Sequence, residues 1–146
     1  MKHLLLSFFT FGAAFSFSQA FAANLEFSSL KGIWKVTAVA VPNEGVQALV
    51  ENDPQYMGAI VEFGTNNITW TKGTKTKPID PSSDNCVATP TLRSWVADPD
   101  FPNEAPVKGG FTVMCADSEW GTVLPENKKT MKLYWYDNGI LTLTKE

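Results

Sequence analysis

Alternation of apolar and polar side chains, the pattern of a half-buried β-strand, recurs along most of the chain. It is first clear at residues 31–41, where Trp34 and the next even-numbered residues share one face and Val39 lies on the other. The same pattern indicates about seven strands. They cover residues 31–41, 58–64, 68–73, 91–96, 111–116, 129–136 and 140–145.

The last two predicted strands carry the strongest local signal. Met131, Leu133 and Trp135 alternate with polar residues, and the chain then passes through Asn138-Gly139 before the next alternating run. Asn-Gly between two such runs is typical of a β-hairpin, because both residues tolerate positive φ. The sequence therefore predicts an antiparallel pair at the C-terminal end.

The segments between the predicted strands are mostly short. Residues 45–52 have apolar positions at helical spacing, which predicts a short helix or lid, whereas residues 72–90 and 98–106 are rich in proline and polar residues and predict long loops. Strands without intervening helices pair antiparallel. We therefore predict an all-β fold, a small antiparallel meander barrel of about seven to eight strands with one short helix.

Residues 1–22 have the pattern of a signal peptide. Lys2 precedes an uncharged apolar run, and Ala20-Phe21-Ala22 provides small residues before a cut at Ala23. The run is shorter than the roughly 20 apolar residues that a membrane-spanning helix needs. We expect export to the periplasm or secretion, no membrane span after processing, and one barrel domain over residues 23–146.

Charge and histidine content narrow the function classes. Lys2 is the only charge in the signal, so the processed chain keeps 11 of the 12 basic residues against 15 acidic ones. This acidic balance argues against a nucleic-acid partner, which favours a basic surface. The one histidine, His3, lies in the signal, so the processed chain has no histidine for a catalytic triad or a zinc or haem site. We expect no enzyme, cofactor or metal.

Two cysteines, Cys86 and Cys115, remain after processing. In an exported chain they are expected to form one disulfide. A redox or metal role is not indicated, because there is no Cys-x-x-Cys spacing and no neighbouring histidine or arginine to lower a thiol pKa. The bond would close a loop of about 30 residues and contribute roughly 3–4 kcal/mol.

Two resemblances follow from short motifs. The Gly32-Ile33-Trp34 opening strand, the terminal strand 139–143 and Tyr56-Met57-Gly58 resemble lipocalins and related calycin-type secreted bacterial barrels. The resemblance implies that Trp34 closes one barrel end under a basic side chain, here Lys145. Thr71-Lys72-Gly73 is also similar to a motif of periplasmic lysozyme inhibitors, although Asn67 stands where that motif has tyrosine.

Aromatic and acidic residues supply the candidate sites. We interpret Trp34 as a core plug, and Trp34, Trp70, Trp95 and Trp135 as the residues that would line a ligand cavity inside the barrel. Trp120, expected in an exposed loop, and the loop acids Asp84 and Asp100 are the candidates for contact with a partner.

Two functions of different class remain open. The first is a non-catalytic binding protein that holds a small apolar or amphipathic molecule inside a lipocalin-like barrel. The second is a protein-binding module, such as a lysozyme-inhibitor-like or immunity-type factor, that contacts an envelope protein through loops 80–91 and 98–106.

Overall fold

The fold is taken from a computed structural model that describes residues 25–42, 48–72, 84–100, 107–136 and 139–146. The predicted signal peptide and its cleavage site lie outside these residues. In the described part of the chain, no helix is long and apolar enough to cross a membrane.

Eight antiparallel strands form one sheet in the order β3-β2-β1-β8-β7-β6-β5-β4. Every chain-consecutive pair is adjacent except β3 and β4, which lie at the two ends of the sheet. The strands are β1 (Gly32–Ala40), β2 (Ile60–Phe63), β3 (Ile68–Lys72), β4 (Pro90–Ser94), β5 (Phe111–Cys115), β6 (Ser118–Pro125), β7 (Thr130–Trp135) and β8 (Gly139–Lys145). The predicted all-β meander barrel is therefore confirmed.

A bulge changes the buried face of β1. Trp34 and Val36 are buried as predicted, but the next buried residue is Val39, which the sequence placed on the opposite face from Trp34. The pairing of β1 with β8 shifts between Val36 and Ala38. One extra residue in a strand reverses the alternation beyond it, so the predicted inward position of Ala38 and Ala40 is wrong.

Strand β6 was not predicted, and Trp120 lies in this strand rather than in a loop. Its burial pattern does not alternate, because Thr122 and Val123 are both buried and the pairing with β5 shifts between Val113 and Met114. Gly121 further weakens the pattern. A Cβ at this position would lie 3.1 Å from Leu133 Cδ1 and 3.2 Å from the Trp135 ring, so these side chains would have to shift slightly.

The predicted helix over residues 45–52 is not seen in its described part, where residues 48–52 form bends and turns; residues 45–47 lie outside the described residues. This segment is hydrogen-bonded to β1, with Asn52 N donating to Val39 O at 2.8 Å and Gly58 N to Val36 O at 2.9 Å. A short 3₁₀ helix, η1 (Phe27–Leu30), precedes β1.

The segment at residues 84–86, hereafter the strap, joins β3, at one end of the sheet, to β5, the strand next to the other end. Cys86 exchanges both backbone hydrogen bonds with Ile68 of β3, at 2.8 and 2.9 Å, and Asn85 Oδ1 accepts from Trp70 N at 2.8 Å. The predicted disulfide between Cys86 and Cys115 of β5 is confirmed, with a Cα–Cα distance of 5.6 Å. The strap thus connects β3 to β5 and nearly closes the barrel.

Trp34 is a buried residue near the start of β1. It is 2% exposed, and its indole N–H donates to Leu30 O of η1 at 2.8 Å. The ammonium of Lys145 lies 5.2 Å from the ring centroid, within the range of a cation–π interaction. Lys145 therefore covers Trp34 in the position that the resemblance implies for a basic side chain.

Candidate functional site

The barrel interior is filled by its own side chains in the part of the chain that the structure describes. Inward-facing residues of seven strands, or of segments next to those strands, are only 0–1% exposed. A cavity large enough for water beside these residues would make part of their surface accessible, so no such cavity adjoins these described residues. Those residues are Val36, Val39, Ala59, Val61, Phe63, Ile68, Val113, Val123, Met131, Leu133, Leu141 and Leu143. The aliphatic part of the interior is therefore closely packed.

A chain of aromatic rings lies beside this aliphatic part of the interior. Trp135 lies at its centre, with ring centroids 5.7 Å from Trp70 and 4.7 Å from Trp120. Tyr56 contacts Trp70, and Phe63 contacts Trp120, each at 5.7 Å with nearly perpendicular rings. These are the spacings of favourable aromatic pairs, so Trp70 and Trp135 contact other rings.

Polar groups within this aromatic chain are only partly satisfied. Trp135 Nε1 donates to the Tyr56 hydroxyl at 3.1 Å, and the Tyr136 hydroxyl donates to the buried carboxylate of Asp84. Burial, together with the nearby Asp84 carboxylate, raises the pKa of Tyr56 to about 12. Trp70 Nε1 is buried without a hydrogen-bond acceptor among the described residues.

An open groove of about 480 Å³ lies on the other side of the wall formed by β4, β5 and β6. We call it the Trp95 groove. Its volume falls within the range of small-molecule sites. The residues that line it are Arg93, Ser94, Trp95, Val96, Asp98, Pro99, Thr112 and Glu119.

Strand register brings the polar residues of the groove together. Arg93 of β4 is opposite Thr112 of β5, which is opposite Thr122 of β6, so the three residues form one row across the sheet. The hydroxyl of Thr122 donates to Glu119 Oε1 at 3.3 Å, and Glu119 Oε2 lies 3.8 Å from Arg93 Nη2. The row and the neighbouring Glu119 therefore bring together a cation, a carboxylate and two hydroxyls.

Thr112 forms the floor of the groove. The residue is 4% exposed and lines the groove together with Arg93 and Glu119. Its hydroxyl can both donate a hydrogen bond to a ligand and accept one from it.

Trp95 forms the apolar wall. Its backbone N–H donates to Gly110 O at 2.9 Å, which extends the β4–β5 pairing beyond Ser94 and fixes the side of the sheet on which Trp95 lies. The side chain is half-buried. Beyond it, Asp98 Oδ1 accepts from Asp100 N at 2.8 Å and turns the chain over the groove.

The predicted site residues fall into separate places. Trp34, Trp70 and Trp135 are buried at 2–6% exposure inside the barrel, whereas Trp95 lines the outer groove. The other candidates are Trp120, which is half-buried with its indole N–H donating to Asp84 O, Asp84, which is 4% exposed, and Asp100, which is exposed.

The sequence did not point to Arg93, Thr112 or Glu119 as one site. They lie on three strands and share no motif spacing, so the register of β4, β5 and β6 is needed to bring them together. Among the described residues, no group of three metal-ligating side chains could hold a metal ion.

The described chain is thus an antiparallel, all-β, nearly closed barrel of eight strands, compatible with a lipocalin-like fold, with a polar groove on its outer face. None of the family models, curated proteins or solved structures compared with the chain matches it.

Proposed function

We propose that this protein is an exported, non-catalytic binding protein of the lipocalin-like type that holds a small amphipathic molecule in the Trp95 groove. The cation–π contact of Lys145 with Trp34 of the Gly-x-Trp strand supports the lipocalin-like assignment. The disulfide supports an oxidising compartment, the periplasm or the exterior. The signal-like residues 1–22 give the same compartment.

One observation carries the choice of site. The described interior is occupied by side chains, whereas the Trp95 groove combines about 480 Å³ of open space with an aromatic wall and a buried hydroxyl. Small-molecule sites pair apolar surface with a few convergent polar groups. We therefore place the ligand in the outer groove, and not inside the barrel as the sequence alone suggested.

Nuclear magnetic resonance of the tryptophan indole N–H groups tests this function. The processed, disulfide-bonded chain is titrated with octanoate, octyltrimethylammonium and octyl glucoside, which share a tail and differ in head group. We expect at least one of them to shift the Trp95 signal, and Trp95→Ala to weaken its binding about tenfold. Val87→Ala, at an exposed residue outside the groove, is the control.

Binding that shifts Trp70 and Trp135 and is unchanged by Trp95→Ala would place the ligand in the barrel and contradict this assignment. No binding by any of the three amphiphiles would also contradict it.

The alternative of a protein-binding module retains one supporting observation. Val87, in the first loop region, and Val96, just before the second, are 90% and 78% exposed. The alternative requires these valines to belong to one contiguous apolar surface, because single exposed apolar residues are common. If this function is correct, Val87→Asp and Val96→Asp abolish capture of a stoichiometric envelope partner, whereas Val50→Asp, at another exposed valine, does not.

A further inference from the structure

The charges of the Trp95 groove disfavour an ionic ligand. Arg93 faces Glu119, and Asp98 adds a second carboxylate to the lining. An anion held by Arg93 would meet Glu119, and a cation held by Glu119 would meet Arg93. A neutral ligand avoids both conflicts.

The hydrogen-bonding groups of the groove need both donors and acceptors from a ligand. Arg93 Nη2 and Glu119 Oε2 are 3.8 Å apart, which is too long for a direct hydrogen bond, so both retain hydrogen-bonding capacity. Guanidinium only donates, carboxylate only accepts, and the Thr112 hydroxyl does both. Neighbouring hydroxyl groups on a ligand would satisfy all three.

The remaining lining is a half-buried tryptophan. Trp95 offers a flat apolar surface beside these polar groups. A sugar ring has this combination of features, with hydroxyls around its edge and apolar C–H groups on its faces. On the basis of the proposed function, we infer that the ligand is a neutral saccharide whose ring packs on Trp95 and whose hydroxyls bond to Arg93, Glu119 and Thr112.

Cellobiose, a neutral disaccharide without an alkyl tail, is the probe. We expect it to shift the Trp95 indole signal of the processed chain, and octyl glucoside to bind while octanoate and octyltrimethylammonium do not. Thr112→Val keeps the side-chain shape and removes the hydroxyl, and Glu119→Gln removes a charged acceptor. Each should weaken cellobiose binding about fivefold to tenfold.

Glu126→Gln is the matched control, because Glu126 forms the other described ion pair, at 4.0 Å to Lys132, outside the groove. It should leave the affinity unchanged. Urea unfolding of each variant separates a loss of binding from a loss of folding. If Thr112→Val is destabilised, Glu119→Gln still tests the assigned ligand contacts.

The outcomes separate the two proposals. If octanoate or octyltrimethylammonium shifts Trp95 and cellobiose and octyl glucoside do not, the saccharide inference is wrong and the binding function stands. If no probe shifts Trp95, both are wrong. Cellobiose binding that is equally strong in Thr112→Val and Glu119→Gln would contradict the assigned contacts.

Discussion

Gly32, the first residue of β1, occupies a backbone conformation that other residues rarely adopt. Its φ is +135°, and a Cβ at this position would lie 2.7 Å from Lys145 Cε. A side chain here would strain the backbone and push Lys145 away from Trp34. The Gly-x-Trp motif is therefore explained by the packing of Lys145 over Trp34.

We expect Gly32→Ala to lower the free energy of unfolding by about 1–3 kcal/mol, measured by urea denaturation. Gly58→Ala is the control, because Gly58 also has a positive φ, +76°, but a Cβ there would meet nothing within 4 Å. The expected loss is smaller, about 1 kcal/mol, because a φ of +76° lies closer to the left-handed helical region that other residues can adopt. Equal losses in the two variants would contradict the additional cost assigned to Gly32.

Tyr56 makes stability depend on pH at the alkaline end. Burial raises its pKa from 10.0 to about 12. Between these values the folded protein keeps the phenol proton and the unfolded chain releases it, so ionisation favours unfolding. The stability is fully present below about pH 10 and falls as the pH rises toward about 12.

We expect the urea midpoint of the wild type to fall more steeply between about pH 10 and about pH 11.5 than that of Tyr56→Phe, which has no proton to lose. Tyr134→Phe, at a half-buried tyrosine on β7, should keep the wild-type slope. A slope that is the same in all three proteins would show that the Tyr56 phenol ionises normally in the fold. Tyr56→Phe also removes the acceptor of Trp135 Nε1 and lowers stability at neutral pH.

At the scale of elements, local patterns predicted most of the strands. The β7–β8 hairpin was predicted from two alternating runs around Asn138-Gly139, and Gly139 N donates to Tyr136 O at 2.7 Å across the turn; Asn138 lies outside the described residues. The alternating runs and the turn between them involve residues that are close together in the chain. The hairpin is confirmed, but Gly139 lies in β8 opposite Trp135 and has no positive φ, whereas Tyr136 has one, so the predicted role of Gly139 in the turn is wrong.

Features that depend on distant strands could not be predicted. The β1 bulge becomes visible only in the pairing with β8, and β6 was missed because its buried residues do not alternate. The groove has the same origin, since the row through Arg93 and Thr112 is set by register. Of its residues, the sequence singled out Trp95 alone as a candidate for ligand contact.

Among the changes considered, loss of the disulfide that anchors the strap should lower the stability of the fold most. The Cys86–Cys115 bond spans a sequence separation of 29 residues. We expect the Cys86→Ala/Cys115→Ala variant to lose about 3–4 kcal/mol of stability. In hydrogen exchange, the amide of Ile68, which donates to Cys86 O, should then exchange much faster, because the strap no longer holds the edge of β3.

The β1–β8 pairing provides the internal reference for that experiment. The two strands pair from Trp34 to Ala40, within the sheet. The hydrogen-exchange rates of their amides should therefore change only when the global stability of the protein changes. If hydrogen exchange of the Ile68 amide and of the β1 amides becomes faster by the same factor, the strap does not hold the edge of β3 locally. The Cys86–Cys115 disulfide would then contribute only to overall stability.

At the scale of the whole molecule, barrel packing and the proposed ligand contact lie in different places. The sequence alone had suggested that tryptophans inside the barrel serve both roles. Trp70 and Trp135 stabilise the barrel by filling it, at 6% exposure each, while Trp95 lies half-buried on the outer side of the wall. A filled interior gives a rigid scaffold, and the outer face carries the proposed site.

Fluorine NMR of the processed chain labelled with fluorotryptophan, recorded with a soluble nitroxide and with octyl glucoside, tests the separation of a filled interior from an outer ligand site. We expect the nitroxide to broaden Trp95 strongly and to spare Trp34, Trp70 and Trp135, and octyl glucoside to shift Trp95 and shield it from the nitroxide. Octyl glucoside that shifts Trp70 and Trp135 and leaves Trp95 unchanged would contradict this separation, because the ligand would then lie inside the barrel.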